Sequence, residues 1–146
     1  WIDIKTYKGE KNNTIDAIND LKERGYRIVA TSPRPGSNTP LSFNILNGKA
    51  ALFFGNERDG LSSDVLDNAD EYLHVPMDGF VESLNISAAC AIVLQQLGVR
   101  LKHEGAEWRI NDTDKEKILL SWMKGSIKNI EKITKAFEIL NSSIPT

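Results

Sequence analysis

The sequence has few of the residues that cross-link a chain or bind a metal. It contains one cysteine, Cys90, among 146 residues, so no disulfide can form within the chain. Cys90 stands in the apolar run AACAIVL, which is typical of a small buried residue. The two histidines, His74 and His103, are well separated and lack cysteine or carboxylate partners at ligand spacing, so we expect no metal site.

Long apolar runs are absent as well. No stretch of about 18 apolar residues occurs, so the sequence predicts no membrane span and no membrane partner. The opening residues WIDIKTYKGEKNN are polar, unlike the apolar centre of a signal peptide. Because 40% of the residues are hydrophobic, the chain has enough apolar content to bury a core. We therefore expect a cytoplasmic globular protein.

The charges nearly balance, with a formal net charge of −2 and a pI near 5.7. This balance argues against a protein that coats nucleic acid unaided. Residues 115–137 are different, because they hold six lysines against two acids, a local net charge of +4. A solvated helix face and a strip that contacts phosphates both account for this segment.

Hydrophobic periodicity predicts an α/β fold, in which helices cover both faces of a parallel sheet. A period close to two predicts a strand at 1–5, and apolar or β-branched runs predict strands at 26–31, 50–54 and 71–75. Helices are expected at 14–24, from 62 or 63 to 69, at 85–103, and from 113 or 114 to 140.

Two loops rich in glycine and polar residues follow the apolar strands. GNERDG (55–60) follows one strand, and PMDGFVESLNIS (76–87) follows the next and opens into a helix. Ligands of open α/β sheets bind at the carboxyl ends of strands, so these loops predict one site between them. A phosphate loop is disfavoured, because Glu57 and Asp59 would repel phosphate and the usual Lys and Gly pattern is missing.

Both loops belong to longer motifs. FFGNERDGLS (53–62) and VPMDGFVESLNISAA (75–89) resemble two motifs of the SpoU/TrmH class of RNA ribose 2′-O-methyltransferases, within the α/β-knot (SPOUT) superfamily. The resemblance runs from Trp1 to about Gln96. It implies a methyltransferase domain at 1–103 with a deep trefoil knot. Residues 104–146 are similar, less specifically, to the carboxyl-terminal helical extension of TrmH-type tRNA enzymes.

The resemblance implies a site for S-adenosyl-L-methionine that is formed largely by backbone groups. The implied cofactor-binding residues are Thr31, Ser32, Gly55, Asn56, Val75, Met77 and Leu84. Glu57, Asn85 and Ser83 are implied to be catalytic. The alternatives are an exposed loop acid for Glu57 and helix capping for Asn85 and Ser83. RNA contacts are expected from Arg58, Lys124 and Lys128.

One motif of the class has no counterpart in this sequence. That motif carries an arginine thought to help deprotonate the ribose hydroxyl, and it lies upstream of a segment like WIDIK. Neither Arg34 nor Arg58 occupies its position. We therefore expect that the amino-terminal part of the catalytic domain is missing and that this fragment alone lacks a catalytic residue.

For the full-length protein, the resemblance implies methylation of a guanosine ribose in structured RNA by a homodimer. The tail favours tRNA, and ribosomal RNA is the alternative substrate. A non-catalytic module of the same fold that binds S-adenosylmethionine or RNA is the alternative function.

Overall fold

A computed structural model describes residues 3–8, 12–79, 84–105 and 107–142. The described residues form two compact units. One lies within Ile4–Trp108 and the other contains the helices that follow Arg109. The first unit confirms the predicted α/β class, with a parallel sheet and helices on both of its faces.

The sheet has three parallel strands in the order β2-β1-β3. Their bounds are Arg27–Thr31 for β1, Ala50–Phe53 for β2 and Glu71–Leu73 for β3. The central strand β1 pairs with β2 along one edge and with β3 along the other. Because all three strands run the same way, their carboxyl ends lie at one edge of the sheet.

Alternating side chains of β1 supply two hydrophobic cores. Ile28 and Ala30 pack on one face with residues of α1 (Asn13–Glu23) and α2 (Ser63–Asn68). Val29 points to the opposite face, where it packs with residues of α3 (Ile86–His103) and with the fully buried Phe43. A strand buried on both faces requires apolar residues at successive positions, and RIVAT provides them.

The strand expected at 1–5 is not formed in the described residues 3–8, and Trp1 and Ile2 lie outside the description. Lys5 and Tyr7 contact α1 instead, through Asp20. Lys5 Nζ lies 2.8 Å from one Asp20 oxygen and the Tyr7 hydroxyl donates to the other at 2.6 Å. The hydrogen bonds from Lys5 and Tyr7 lower the pKa of Asp20 to about 2. A period of two gives a strand only where a sheet edge offers backbone partners.

The single helix expected from 113 or 114 to 140 is also wrong, because the second unit has two helices. They are α4 (Asp112–Ser126) and α5 (Ile130–Ser142). Ile127 has extended backbone angles, and Asn129 has a φ of 63°. Asparagine is one of the few residues that readily adopts this left-handed conformation. Among the described helices of both units, none is long and apolar enough to cross a membrane.

Arg100 of α3 fixes the connection between β1 and β2. Its Nη1 donates to the carbonyl oxygens of Pro40 and Phe43, at 2.7 and 2.8 Å. The same guanidinium pairs with Glu104 one turn later on the helix, which lowers the pKa of the Glu104 carboxyl. These bonds place the connection against the helix and Phe43 in the core.

We expect Arg100→Met to lower the free energy of unfolding by about 2 kcal/mol, because two loop carbonyls lose a charged donor. Glu104→Gln, which weakens only an ion pair at the surface, should lower the stability clearly less. Urea denaturation of both variants measures the difference. Equal losses would show that Arg100 acts through the ion pair and not through the loop.

Candidate functional site

A cavity of about 710 Å³ opens at the carboxyl edge of the sheet. This volume is within the range of small-molecule sites. Its walls come from the ends of all three strands and from the first turns of α3. The lining includes Thr31, Ser32 and Pro33 at and after the end of β1, Phe54 to Glu57 after β2, Leu73 to Met77 at and after β3, and Leu84, Ile86, Ala89 and Val93 around α3.

The GNERDG loop closes on itself to form one wall. The backbone groups of Asn56 and Gly60 exchange two hydrogen bonds of 3.1 Å. The side-chain oxygen of Asn56 accepts from the amides of Arg58 and Asp59, at 2.9 and 2.6 Å. Asparagine side chains commonly form such turns with the backbone that follows them. The sequence of the loop therefore determines its shape.

Gly55 allows the two ends of this loop to meet. A Cβ atom at Gly55 would lie 2.2 Å from the carbonyl carbon of Gly60, far inside van der Waals contact. Only glycine fits where two backbone segments approach this closely. The close approach brings Gly55, Asn56 and Gly60 together along the cavity wall.

A hydrogen bond joins the GNERDG loop to the start of α3. Asn85 Nδ2 donates to Glu57 Oε1 at 2.6 Å, across 28 positions of sequence. Asn85 is also the N-cap of α3, since its Oδ1 accepts from the Ser87 amide at 2.8 Å. The amide side chain thus uses both of its ends, one to begin a helix and one to orient a carboxylate.

The third strand end carries the apolar part of the wall. Val75, Pro76 and Met77 follow β3, and Leu84 and Ile86 flank the start of α3. Above them, the Thr31 hydroxyl donates to the Phe53 carbonyl at 2.7 Å, and the Ser32 amide donates to the Leu73 carbonyl at 3.0 Å. These bonds fix the spacing of the three strand ends where the cavity opens.

Most residues that the sequence predicts for the site are brought together here. All seven predicted cofactor-binding residues line the cavity, as does Glu57. Asn85 reaches the cavity through Glu57, while Ser83 lies outside the described residues. Arg58 is exposed on the GNERDG loop, and Lys124 and Lys128 are exposed in the second unit. The functional roles of these residues stay predictions.

Some lining residues were not predicted for the site. Ile86, Ala89 and Val93 recur at helical spacing, as residues on the apolar side of the helix expected at 85–103 would. This face of α3 both lines the cavity and contributes to the core, because Val93 also packs in the core. His74 falls within the strand expected at 71–75, and it lines the cavity directly after β3. Its Nδ1 is buried without a hydrogen-bond partner in the described part of the chain.

We expect Gly55→Ala to destabilise the protein by about 2 kcal/mol, because the added methyl group forces the loop backbone apart. The matched control is Gly98→Ala in α3, where a Cβ meets nothing within 4 Å. That change should be neutral or stabilising by up to about 1 kcal/mol, since alanine favours helix. Chemical denaturation measures both, and a Gly55 variant as stable as the parent would contradict the close approach.

Comparisons with known proteins agree with this geometry. A tRNA (guanosine(18)-2′-O)-methyltransferase of Borreliella burgdorferi is 41% identical over 133 residues, which cover 91% of this chain and 59% of that protein. The chain therefore spans a little over half the length of this curated relative.

Two solved structures share the fold. The A. aeolicus TrmH/SpoU tRNA modifying enzyme matches 81% of this chain and 61% of its own, with a TM-score of 0.67 and 29% identity. The SpoU methyltransferase AviRb from Streptomyces viridochromogenes, crystallised in complex with the cofactor AdoMet, matches 62% of this chain and 36% of its own. Its TM-score is 0.51 and its identity 27%.

The model of the SpoU rRNA Methylase family matches residues 3–95, which include all three strands and both loops of the cavity. With the cavity formed by the two motif loops, these matches show that the chain belongs to the SpoU methylase family.

Proposed function

We propose that this chain acts in methyl transfer from S-adenosylmethionine to the ribose 2′-hydroxyl of a guanosine in tRNA. The observation that carries the proposal is the hydrogen bond between Glu57 and Asn85 beside a cavity at the strand ends. The relative from Borreliella burgdorferi is named for this activity, and AviRb was crystallised with the cofactor. Ribosomal RNA is the alternative substrate class.

The cavity fits the cofactor in chemistry as well as in size. Its described lining is mostly apolar, with Met77, Leu84 and Ile86 on one side and loop backbone on the other. Glu57 is the one acid among the described lining residues, which suits a ligand that carries a sulfonium cation. S-adenosylmethionine, when bound, supplies a methyl group that a ribose 2′-oxygen can accept. Backbone groups of Gly55 and Val75 would hold its adenosine part, and Asn56 would line the pocket, since its own backbone pairs with Gly60.

Glu57 has a positioning role in this proposal. Asn85 fixes one carboxylate oxygen, and the other accepts no hydrogen bond from the described residues. A ribose hydroxyl is a poor acid, so its reaction needs a base or a cation close to it. The second oxygen of Glu57 is available to orient such a group. The arginine that the resemblance implies for this task has no counterpart in residues 1–146.

RNA contacts belong to both parts of the chain in this proposal. Residues 1–103 would supply the cofactor site and Arg58, and residues 104–146 would supply a basic helical extension. Lys124 and Lys128 are exposed there, in a segment with a net charge of +4. Lysine side chains of this kind neutralise phosphates without reading sequence.

A cytoplasmic homodimer is the form in which we propose that the protein acts. The resemblance implies the homodimer, and Leu94 and Val99 of α3, which are 55% and 45% exposed, are apolar side chains that an interface could use. A cytoplasmic location follows from a tRNA substrate. The trefoil knot implied by the resemblance stays a prediction as well.

Calorimetric titration with S-adenosylhomocysteine tests the cofactor site on the chain itself. We expect saturable binding in the micromolar range. Light scattering measures the mass of the same sample and should show a dimer. Adenosine is the control ligand and should bind more weakly, because it lacks the amino-acid part. A folded, dimeric sample that binds neither ligand would contradict the proposed cofactor site.

Methyl transfer to a tRNA transcript, measured with the complete product of the gene, tests the catalytic residues. Glu57→Ala and Asn85→Ala should each lower the rate about a hundredfold, since the group that acts on the hydroxyl loses its orientation. Asn85→Asp should lose as much, because aspartate caps a helix equally well but repels Glu57.

The matched control is Asp59→Ala, which removes an exposed acid from the same loop and should leave the rate unchanged. Parent rates in the Glu57 and Asn85 variants would exclude the proposed roles. A complete protein that binds S-adenosylhomocysteine but methylates no RNA would instead be the non-catalytic module.

A further inference from the structure

We propose that Arg34 is an RNA-contacting residue, which binds a phosphate of the nucleotide strand that enters the cavity. The proposal rests on the proposed function and adds a specific anion contact to it. Arg34 lies in the loop after β1, next to Ser32 and Pro33, which line the cavity. Its side chain is exposed.

Tyr72 holds the guanidinium of Arg34 in a fixed orientation. The guanidinium carbon lies 4.7 Å from the centre of the Tyr72 ring, and Nη1 donates to the Tyr72 hydroxyl at 3.1 Å. That hydroxyl donates in turn to the Leu66 carbonyl of α2. Since the Tyr72 ring packs against the core beside α2, the arginine rests on a rigid support.

The backbone around Arg34 is held as firmly as its side chain. Ser37 Oγ accepts from the Arg34 amide at 2.9 Å and donates to the Ser32 carbonyl at 3.2 Å. Asn38 then pairs with the end of β3. Its amide donates to the Tyr72 carbonyl and its carbonyl accepts from the His74 amide, both at 2.8 Å. A residue that is ordered before binding loses less conformational entropy when it binds.

No carboxylate of the described residues neutralises the charge of Arg34. Arg24, Arg27 and Arg100 each form an ion pair, with Asp20, Glu71 and Glu104 respectively. None of the ion pairs found in the described residues includes Arg34. Its remaining N–H groups keep the planar fork that matches a phosphate. An ordered arginine with no acid partner among the described residues, beside the proposed site of RNA methylation, is suited to bind the RNA backbone.

The experiment measures binding of a tRNA transcript to the full chain by fluorescence anisotropy at several salt concentrations. Arg34→Ala should weaken binding about tenfold at 0.1 M salt and reduce the slope of log K against log salt by about 1. Arg34→Lys keeps the charge but not the planar fork, so its affinity for tRNA should lie between that of the parent and that of Arg34→Ala. Titration with S-adenosylhomocysteine should give the parent affinity for both variants.

The matched control is Arg24→Ala. Arg24 also lies over a tyrosine ring, that of Tyr26 at 5.3 Å, but Tyr26 precedes β1 and so lies at the opposite edge of the sheet. This variant should bind tRNA like the parent. Equal losses in the Arg24 and Arg34 variants, or parent affinity and slope in Arg34→Ala, would overturn the assignment.

Two further outcomes separate this inference from the proposed function. A lower affinity of Arg34→Ala for S-adenosylhomocysteine would overturn the RNA assignment and make Arg34 a cofactor contact. A parent chain that binds no tRNA would contradict the proposed RNA function, and the phosphate contact with it.

Discussion

Parallel pairing of β1 with β2 on one side and β3 on the other is the constraint on which the site depends. Parallel strands require crossover connections, so each strand must end at the same edge and its chain must return along a face of the sheet. The connection held by Arg100 joins β1 to β2, and the one that contains α2 joins β2 to β3. Three strand ends then meet at one edge, and the cavity is the space between the loops that leave them.

Asn85 links the stability of this fold to the chemistry of its site. A helix N-terminus needs an acceptor for its free amides, and an asparagine provides it with one oxygen. The same side chain has two amide protons left, and one of them fixes Glu57 on a loop formed earlier in the chain. Placement of the carboxylate thus follows from the start of α3. A substitution of Asn85 therefore removes the helix cap and the contact with Glu57 together.

Local pattern predicted most of the fold and part of the site. The apolar runs at 26–31, 50–54 and 71–75 are strands within one or two residues, and the motif loops supply the predicted lining of the cavity. Periodicity failed at Asn129, because Met123, Ile127 and Ile130 keep helical spacing while the backbone changes direction between them. It also failed in the described residues 3–5 of the strand expected at 1–5, where alternation gave no information about a pairing partner. The bond between Glu57 and Asn85 and the contacts of Arg100 depend on the packing of distant segments, which local pattern does not encode.

The turn formed by Asn56 has a consequence for how a ligand meets the cavity. Its side-chain oxygen is occupied by the two amides that follow it, and its backbone is occupied by Gly60. The GNERDG wall therefore acquires its shape when the chain folds and not when a ligand arrives. The conformational entropy of this wall is lost when the chain folds. Ligand binding therefore does not have to order the wall, and its affinity is not reduced by that cost. A ligand can bind against this wall without a rearrangement of its backbone. Such a preformed wall favours ligands that already match its shape.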